Sequence, residues 1–435
     1  MTLTAPDASA ASGRRRLVAR TGSPEVQWIR ARAIALDSTE PGAPLGDLLP
    51  LEPLLDGVEV ITLGEGTHYT HEFQTMHHRL AEFFAEEIGV RVFTFEGGWP
   101  SFHAIDDHVR TGEGDPVALL EDAVWTFWDT DEMLQFVRWA RAWNESRPES
   151  EWVSILGVDP ASPGWPRLSA HVLAYLQTVN PTAAAAASKA YACLGSVFPG
   201  EYRKLSEETR AACRASLKSV ADDLAANRTA YEQISGARAF AAAARSAEMY
   251  LQAEHLASVP LGGPQENRRD EAMAANVLSL RNERSPDRPI VYRAHNGHAS
   301  ASGYGDGADH LESAGGVLRR ALGPALFAIG STSSRGTYLV TGFGEAGGFI
   351  FHVDPFPTPP PGSWEALFEA VGYPAMIVPL RGDIPEWTQA PRPFFSFITT
   401  GRADDPAAYS PALPLPPMFD AVIYVRETTP TRMLH

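Results

Sequence analysis

An α/β fold, with a mostly parallel central sheet flanked by helices and a largely helical insertion in mid-chain, follows from three observations on this 435-residue sequence. Short runs rich in Val, Ile and Phe alternate with helix-period stretches toward both ends of the chain. Those runs are apolar almost throughout rather than at every second position, as in strands covered on both faces. Between them lies a long Ala-rich stretch with little strand signal.

The candidate strands are Val58–Leu63, Arg91–Phe95, Trp152–Val158, Pro289–Tyr292, Leu326–Ile329, Tyr338–Thr341, Phe349–Val353, Ala375–Val378 and Ala421–Val425. His71 to Ile88 places Phe73, Met76, Leu80, Phe83, Phe84 and Ile88 on one helical stripe. Asp131 to Asn144 does the same with Met133, Phe136, Val137, Ala140 and Trp143. Strand and helix in alternation imply right-handed crossovers between parallel strands. In the middle, Thr182–Leu194, Glu207–Ala225 and Ala237–Ala257 read as helices, Pro260–Pro264 as a loop, and Arg268 to Leu280 as a further helix. Pro355–Pro361 reads as a stiff, polyproline-like loop. The expected organisation is a disordered tail over 1–20, a first α/β segment over 21–166 and a helical subdomain over 167–265. A second α/β segment over 266–435 then completes the same catalytic domain.

With 53 acidic against 36 basic residues, the formal net charge is −17. Affinity for nucleic acid comes largely from neutralising phosphates, so no nucleic-acid partner is expected, nor an anionic membrane surface. A neutral or cationic small molecule is the easier substrate to attract. No run approaches the ~18 apolar residues of a membrane span. The first 20 residues carry Arg14-Arg15-Arg16 but lack the ~7–15-residue apolar stretch of a secretory signal. Cys193 and Cys213 make neither a disulfide framework nor a zinc knuckle, and in helical surroundings they read as buried core thiols. A cytoplasmic protein, monomeric or a small homo-oligomer, fits these features.

The chemistry gathers where polar residues follow strands. Val58–Leu63 runs into Gly64-Glu65-Gly66-Thr67-His68, and Phe93–Phe95 into Glu96-Gly97-Gly98. Ser154–Val158 runs into Asp159, and Ile290–Tyr292 into Arg293-Ala294-His295-Asn296-Gly297-His298. Ligands of open α/β sheets bind beyond the carboxyl ends of parallel strands. Four such ends would therefore bring Glu65, His68, Glu96, Asp159, His295 and His298 to one edge.

Each piece alone has a plainer reading. The glycine turn would serve any strand-to-helix connection, with Thr67 or Thr70 as helix cap. Thirteen histidines dilute any one of them; His77 and His78 belong mainly to helix packing. His71-Glu72 with His77 is not a zinc-protease helix, which needs histidines at i and i+4.

Other chemistries lack their motifs. No Gly-x-Ser-x-Gly elbow occurs, since Gly330-Ser331-Thr332-Ser333-Ser334 lacks the second glycine. Neither a phosphate-cradling Gly-x-x-x-x-Gly-Lys nor a Gly-x-Gly-x-x-Gly after the first strand is present. No cysteine presents itself as a nucleophile. An ester hydrolase built this way would activate water, using a histidine with a carboxylate partner.

The residues also match a known family. Gly64-Glu65-Gly66-Thr67-His68 with Glu72-Phe73 resembles the Gly-Glu-Ala/Gly-Thr-His…Glu-Phe signature of the erythromycin esterases. Phe95-Glu96, Gly112-x-Gly114-Asp115, Trp128, Arg269-Asp270-Glu271-x-Met273, Ala294-His295-Asn296-Gly297-His298, Phe419–Tyr424 and Thr428-Thr429-Pro430 follow in the family's order. The resemblance implies a hydrolase that opens macrolactone esters of polyketide-like molecules without a metal or other cofactor. His68 would be the general base, Glu65 its orienting carboxylate and Glu96 a further carboxylate. His295, His298 and Arg269 would bind the carbonyl side, with His71, Arg293, Trp128 and Asp159 as further substrate contacts. His71, Gly66 and Arg293 depart from the commoner family residues. Two alternatives keep the scaffold: a natural-product tailoring enzyme using the same pair for proton abstraction, elimination or acyl transfer, and a metal- or haem-binding protein without turnover.

Overall fold

The computed structural model describes residues 22–123, 126–161, 164–195, 199–303, 311–343, 349–395 and 409–435. The tail expected over 1–20 lies outside the described residues. The strands are β1 Ile34–Ala35, β2 Val60–Glu65, β3 Val92–Gly98, β4 Ser154–Asp159, β5 Ile290–His295, β6 Leu326–Phe343, β7 Phe349–Pro355, β8 Ala375–Pro379, β9 Arg392–Phe395, β10 Tyr409–Leu413 and β11 Ala421–Thr428. Nine share a sheet in the order β1-β8-β11-β6-β2-β5-β3-β4, with β7 paired to β6; β9 and β10 pair separately. From β11 to β4 every neighbouring pair is parallel, and β8 and β1 form an antiparallel edge. The predicted mostly parallel α/β sheet is what forms.

Continuous hydrophobicity in the strands has a direct cause. Val60 and Tyr292 pack into one core, shared with Trp165, Leu176, Leu217 and Tyr250 of the helical middle. Their neighbours Ile61 and Val291 pack into the other, beside Met76, Leu80 and Phe136. Side chains alternate across the sheet, yet both faces are covered, so both parities must be apolar. Each such buried aliphatic residue contributes roughly 1.5–3 kcal/mol. From Trp165 to Arg284 the described secondary structure is helical, and this layer shares its core with the sheet.

Three expectations change. Leu326–Ile329 and Tyr338–Thr341 are two ends of one strand, because the polar stretch between them is itself paired with β11. Its buried hydroxyls are satisfied: Thr332 donates to Glu365 at 2.8 Å and Ser334 bonds the Tyr424 hydroxyl at 2.7 Å. Phe349–Val353 is not covered on both faces, since β7 pairs antiparallel with the outer half of β6 and leaves Ile350 and Val353 about half exposed. The helix expected to run to Ile88 is α-helical over His71–Phe83 and widens to a π-turn over Phe84–Ile88, ending at left-handed Gly89.

The cysteines are the clearest correction. Cys193 and Cys213 form a disulfide, with Cα atoms 5.7 Å apart. The helices Pro181–Gly195 and Glu207–Ala226 lie side by side, bringing into reach two residues that sequence spacing left unrelated. The support that free thiols lent to a cytoplasmic setting goes with them, because disulfides persist mainly in oxidising compartments. No helix among the described residues is long and apolar enough to cross a membrane. Replacing both cysteines by serine should cost about 3 kcal/mol, as expected for a closed loop of this length. Thermal unfolding with and without reductant measures the difference; a melting temperature indifferent to both changes would contradict the bond.

Candidate active site

Sheet register assembles the site. In the parallel β2–β5 pair, Glu65 lies opposite His295 and Leu63 opposite Arg293. On the other side of β5, the His295 amide donates to Glu96 Oε2 of β3 at 3.0 Å. Asp159 ends β4, the next strand. The four adjacent strand ends thus meet at one edge. The close approach explains two glycines. A Cβ on Gly64 would lie 2.4 Å from the Asn296 side-chain oxygen, and one on Gly66 would lie 2.8 Å from the Ser331 carbonyl. Asn296 occupies that space because its amide bonds both the carbonyl (2.8 Å) and the N–H (3.1 Å) of Ser331.

His68 Nδ1 lies 2.7 Å from Glu65 Oε1. A carboxylate oxygen accepts, so Nδ1 carries a hydrogen, and in the neutral ring the lone pair is then on Nε2. Among the described residues Nε2 has no hydrogen-bond partner, and the ring keeps about a tenth of its surface open. Phe127 stacks on it at 4.0 Å with the planes 7° apart. Gln74 backs the pair: its Nε2 donates to Glu65 Oε2 at 2.9 Å and to the His68 carbonyl at 3.1 Å. The loop before the helix is fastened from afar, with the Tyr69 carbonyl accepting from Leu339 and Thr431. Glu72 accepts from the Thr429 amide and hydroxyl, both at 2.7 Å.

The other half of the site is charged. Arg269, from the helix Gly263–Arg284, donates to Asp159 (2.7 Å) and Glu96 (2.6 Å), and lies 3.0 Å from His298 Nε2. His298 Nδ1 faces Asp270 at 2.8 Å. Burial alone would lower the His298 ring, but the charges of Asp270 and Glu96 outweigh it and the opposing Arg269, pushing it up to about 9. Burial would raise Glu96, yet His298, Arg269, His68 and the His295 amide together hold it well below the usual carboxylate range. His295 goes the other way: burial and the charge of His68 take it down to about 3. Its Nδ1 accepts from the Gly297 amide at 3.2 Å, and Nε2 points at the Gly66 carbonyl, 3.3 Å away.

Glu65, His68, Glu96, His295, His298, Arg269 and Asp159 therefore come together. Of the remaining expected substrate contacts, Trp128, Arg293 and Asp159 are buried and His71 lies apart from the cluster. Trp128 is fully buried, its indole donating to the Glu96 carbonyl at 2.8 Å. Arg293 is 3% exposed and bonds Gln74 Oε1. His71 pairs with Glu132 at 2.5 Å, which raises its pKa, and makes no contact with the cluster. Asp159 clasps Arg269 rather than facing outward. Thr70 stands at the helix N-cap position without a side-chain cap bond, its hydroxyl paired with Thr67 instead. Sequence reasoning missed Gln74, Asp270 and Phe127. Asp270 stood beside Arg269 in a quoted motif. Gln74 had a fainter signal, a polar residue beside Phe73 on the inward side of its helix.

Glu266, Asp270 and His298 each offer a ligand atom within 4.8 Å of the others. Arg269 Nη1 already lies 3.4 Å from Glu266 Oε2 and 3.0 Å from His298 Nε2, so a cation there would have to displace a guanidinium. The donor set does not fit a resident metal well.

The His298 charge has a consequence for stability. An unfolded histidine titrates near 6.5. With the native ring raised to about 9, its contribution is complete below pH ~6.5 and is lost as pH rises through 9. Chemical denaturation at pH 6.5 and 9.5 should show wild type losing more stability than His298→Gln; equal losses would contradict this charge state.

The profile described as erythromycin esterase matches residues 85–428, beginning after the Gly64–His68 segment. Erythromycin esterase type II of Escherichia coli is 26% identical over 134 residues, 31% of each chain. A putative hydrolase of Bacillus subtilis is 25% identical over 132 residues, 30% of this chain and 28% of that one. The matched stretch thus spans about a third of these relatives' length. Among solved structures, a Bacillus cereus protein superposes with a TM-score of 0.79 at 23% identity, covering 94% of this chain and 98% of the other. One described as a succinoglycan biosynthesis protein gives 0.78 at 22%, covering 94% and 98%. An erythromycin esterase mutant in its open conformation gives 0.66 at 16%, covering 89% and 95%. These likenesses show a shared fold, and the profile covers most of the chain. The chain belongs to the erythromycin esterase family.

Proposed function

We propose that this protein hydrolyses an ester or macrolactone of a polyketide-type small molecule, using water activated by His68. The observation that carries the reading is the His68–Glu65 pair, whose Nδ1 is held at 2.7 Å while Nε2 has no partner among the described residues. Nε2 takes a proton from water as the hydroxide adds to the carbonyl carbon. The carbon–oxygen bond to the alcohol then breaks, and the imidazolium returns its proton to the departing alkoxide. Glu65 favours the imidazolium in the transition state. His298, carrying its proton at neutral pH, offers fixed positive charge where the carbonyl oxygen becomes negative. Glu96 and Arg269 hold that half of the site in place. His295, neutral and engaged at both nitrogens, fixes the strand end rather than moving protons.

The family supports an ester substrate. Erythromycin A is the first compound to test, followed by a panel of macrolides and related polyketides. His68→Asn should lower kcat/KM about 10²–10⁴-fold with an unchanged circular dichroism spectrum; retained turnover in that folded variant refutes the base. In oxygen-18 water, one label should enter the product acid. A product without label points to elimination or acyl transfer by the same pair.

A further inference from the structure

The Arg293 guanidinium lies behind the Glu65–His68 pair. Its charge lies against Trp128 and Phe95, with ring centroids 5.1 and 5.8 Å away. Burial in this apolar setting lowers its pKa, and Glu65, 3.6 Å from Nη2, opposes that. Its hydrogen bond goes to Gln74 Oε1. Arginine only donates, so Gln74 has to turn its oxygen toward Arg293. The amide nitrogen then has to face Glu65 Oε2 and the His68 carbonyl, which only accept and lie 2.9 and 3.1 Å away. With Oε2 taken, Oε1 is the oxygen left to receive His68 Nδ1. Without the Gln74 amide and the guanidinium 3.6 Å from it, Glu65 Oε2 would lose the groups that hold it, and the carboxylate would be free to rotate away from Nδ1.

We propose that Arg293 and Gln74 are positioning residues that orient Glu65 and thereby confine His68 to the tautomer with hydrogen on Nδ1 and a lone pair on Nε2. The inference rests on His68 being the base, and it concerns residues that touch neither water nor substrate. A buried ion pair with a structural role alone would affect stability and leave the tautomer unchanged. Oriented partners of this kind are worth about 10–100-fold in metal sites, where they fix an imidazole in the same way.

The test is nitrogen-15 NMR of the full chain labelled at histidine, with the His68 signals identified by their loss in His68→Asn. In wild type the neutral ring should give a pyrrole-type signal from Nδ1 and a pyridine-type signal from Nε2. In Arg293→Met and in Gln74→Met the two signals should move toward each other as tautomers mix. Turnover of p-nitrophenyl butyrate should fall about 10–100-fold in kcat with KM little changed, and Arg293→Lys should recover part of the loss. Arg293→Met takes the cation from buried Glu65 and is expected to lower stability; Gln74→Met tests the relay with Arg293 still in place if Arg293→Met does not fold. Unchanged nitrogen shifts in the folded variants, or changed melting with unchanged kcat, would overturn the proposal. Hydrolysis retained in His68→Asn would refute the base instead, and the tautomer measurement, which needs no substrate, would still decide the relay.

Discussion

The site depends on one guanidinium being satisfied where water scarcely reaches. Arg269 is 11% exposed and draws carboxylates from a neighbouring helical turn and two different strands: Glu266, Glu96 and Asp159. A lone buried cation would cost several kcal/mol, and breaking a buried pair from one side typically costs 3–5 kcal/mol. The carboxylates face the same penalty without the cation. Neither side is stable alone, so the ends of β3 and β4 and the helix Gly263–Arg284 are bound in one arrangement. The surplus of negative charge left after Arg269 raises the pKa of His298.

The two halves of the site are thereby given opposite characters. Around His68 the contacts are single directed hydrogen bonds from Glu65 and Gln74, and the ring lies against Phe127. Around His298 charge is pooled among several groups. A histidine ring with an open nitrogen thus shares one sheet edge with a pool of paired charges.

Much of this could be read from the residues. Strand ends were visible because a run apolar in both parities stops abruptly at Glu65, Glu96, Asp159 or His295. Parallel pairing then had to bring those ends to one edge. The hidden features share a cause: side-chain direction. Arg293 and Trp128 were expected substrate contacts from the family resemblance, but each is buried in the core. Gln74 lies one residue past Phe73, where helical periodicity marks only which face is inward. The polar run Ser331–Ser334 looked like a break because its hydroxyl partners, Glu365 and Tyr424, come from distant segments. The Cys193–Cys213 bond likewise followed from how two helices settle against each other.

The fastening of the Gly66–His71 loop carries a consequence for the order of events in folding. Glu72 is tied to Thr429, 357 residues away, and Thr70 bridges Pro430. His68 therefore sits in a loop held by residues 357 or more positions further along the chain. Contacts of such span close late, because the loop entropy must be met before they contribute. The sheet core and helical layer can form first, and the ordering of the loop around His68 then follows them.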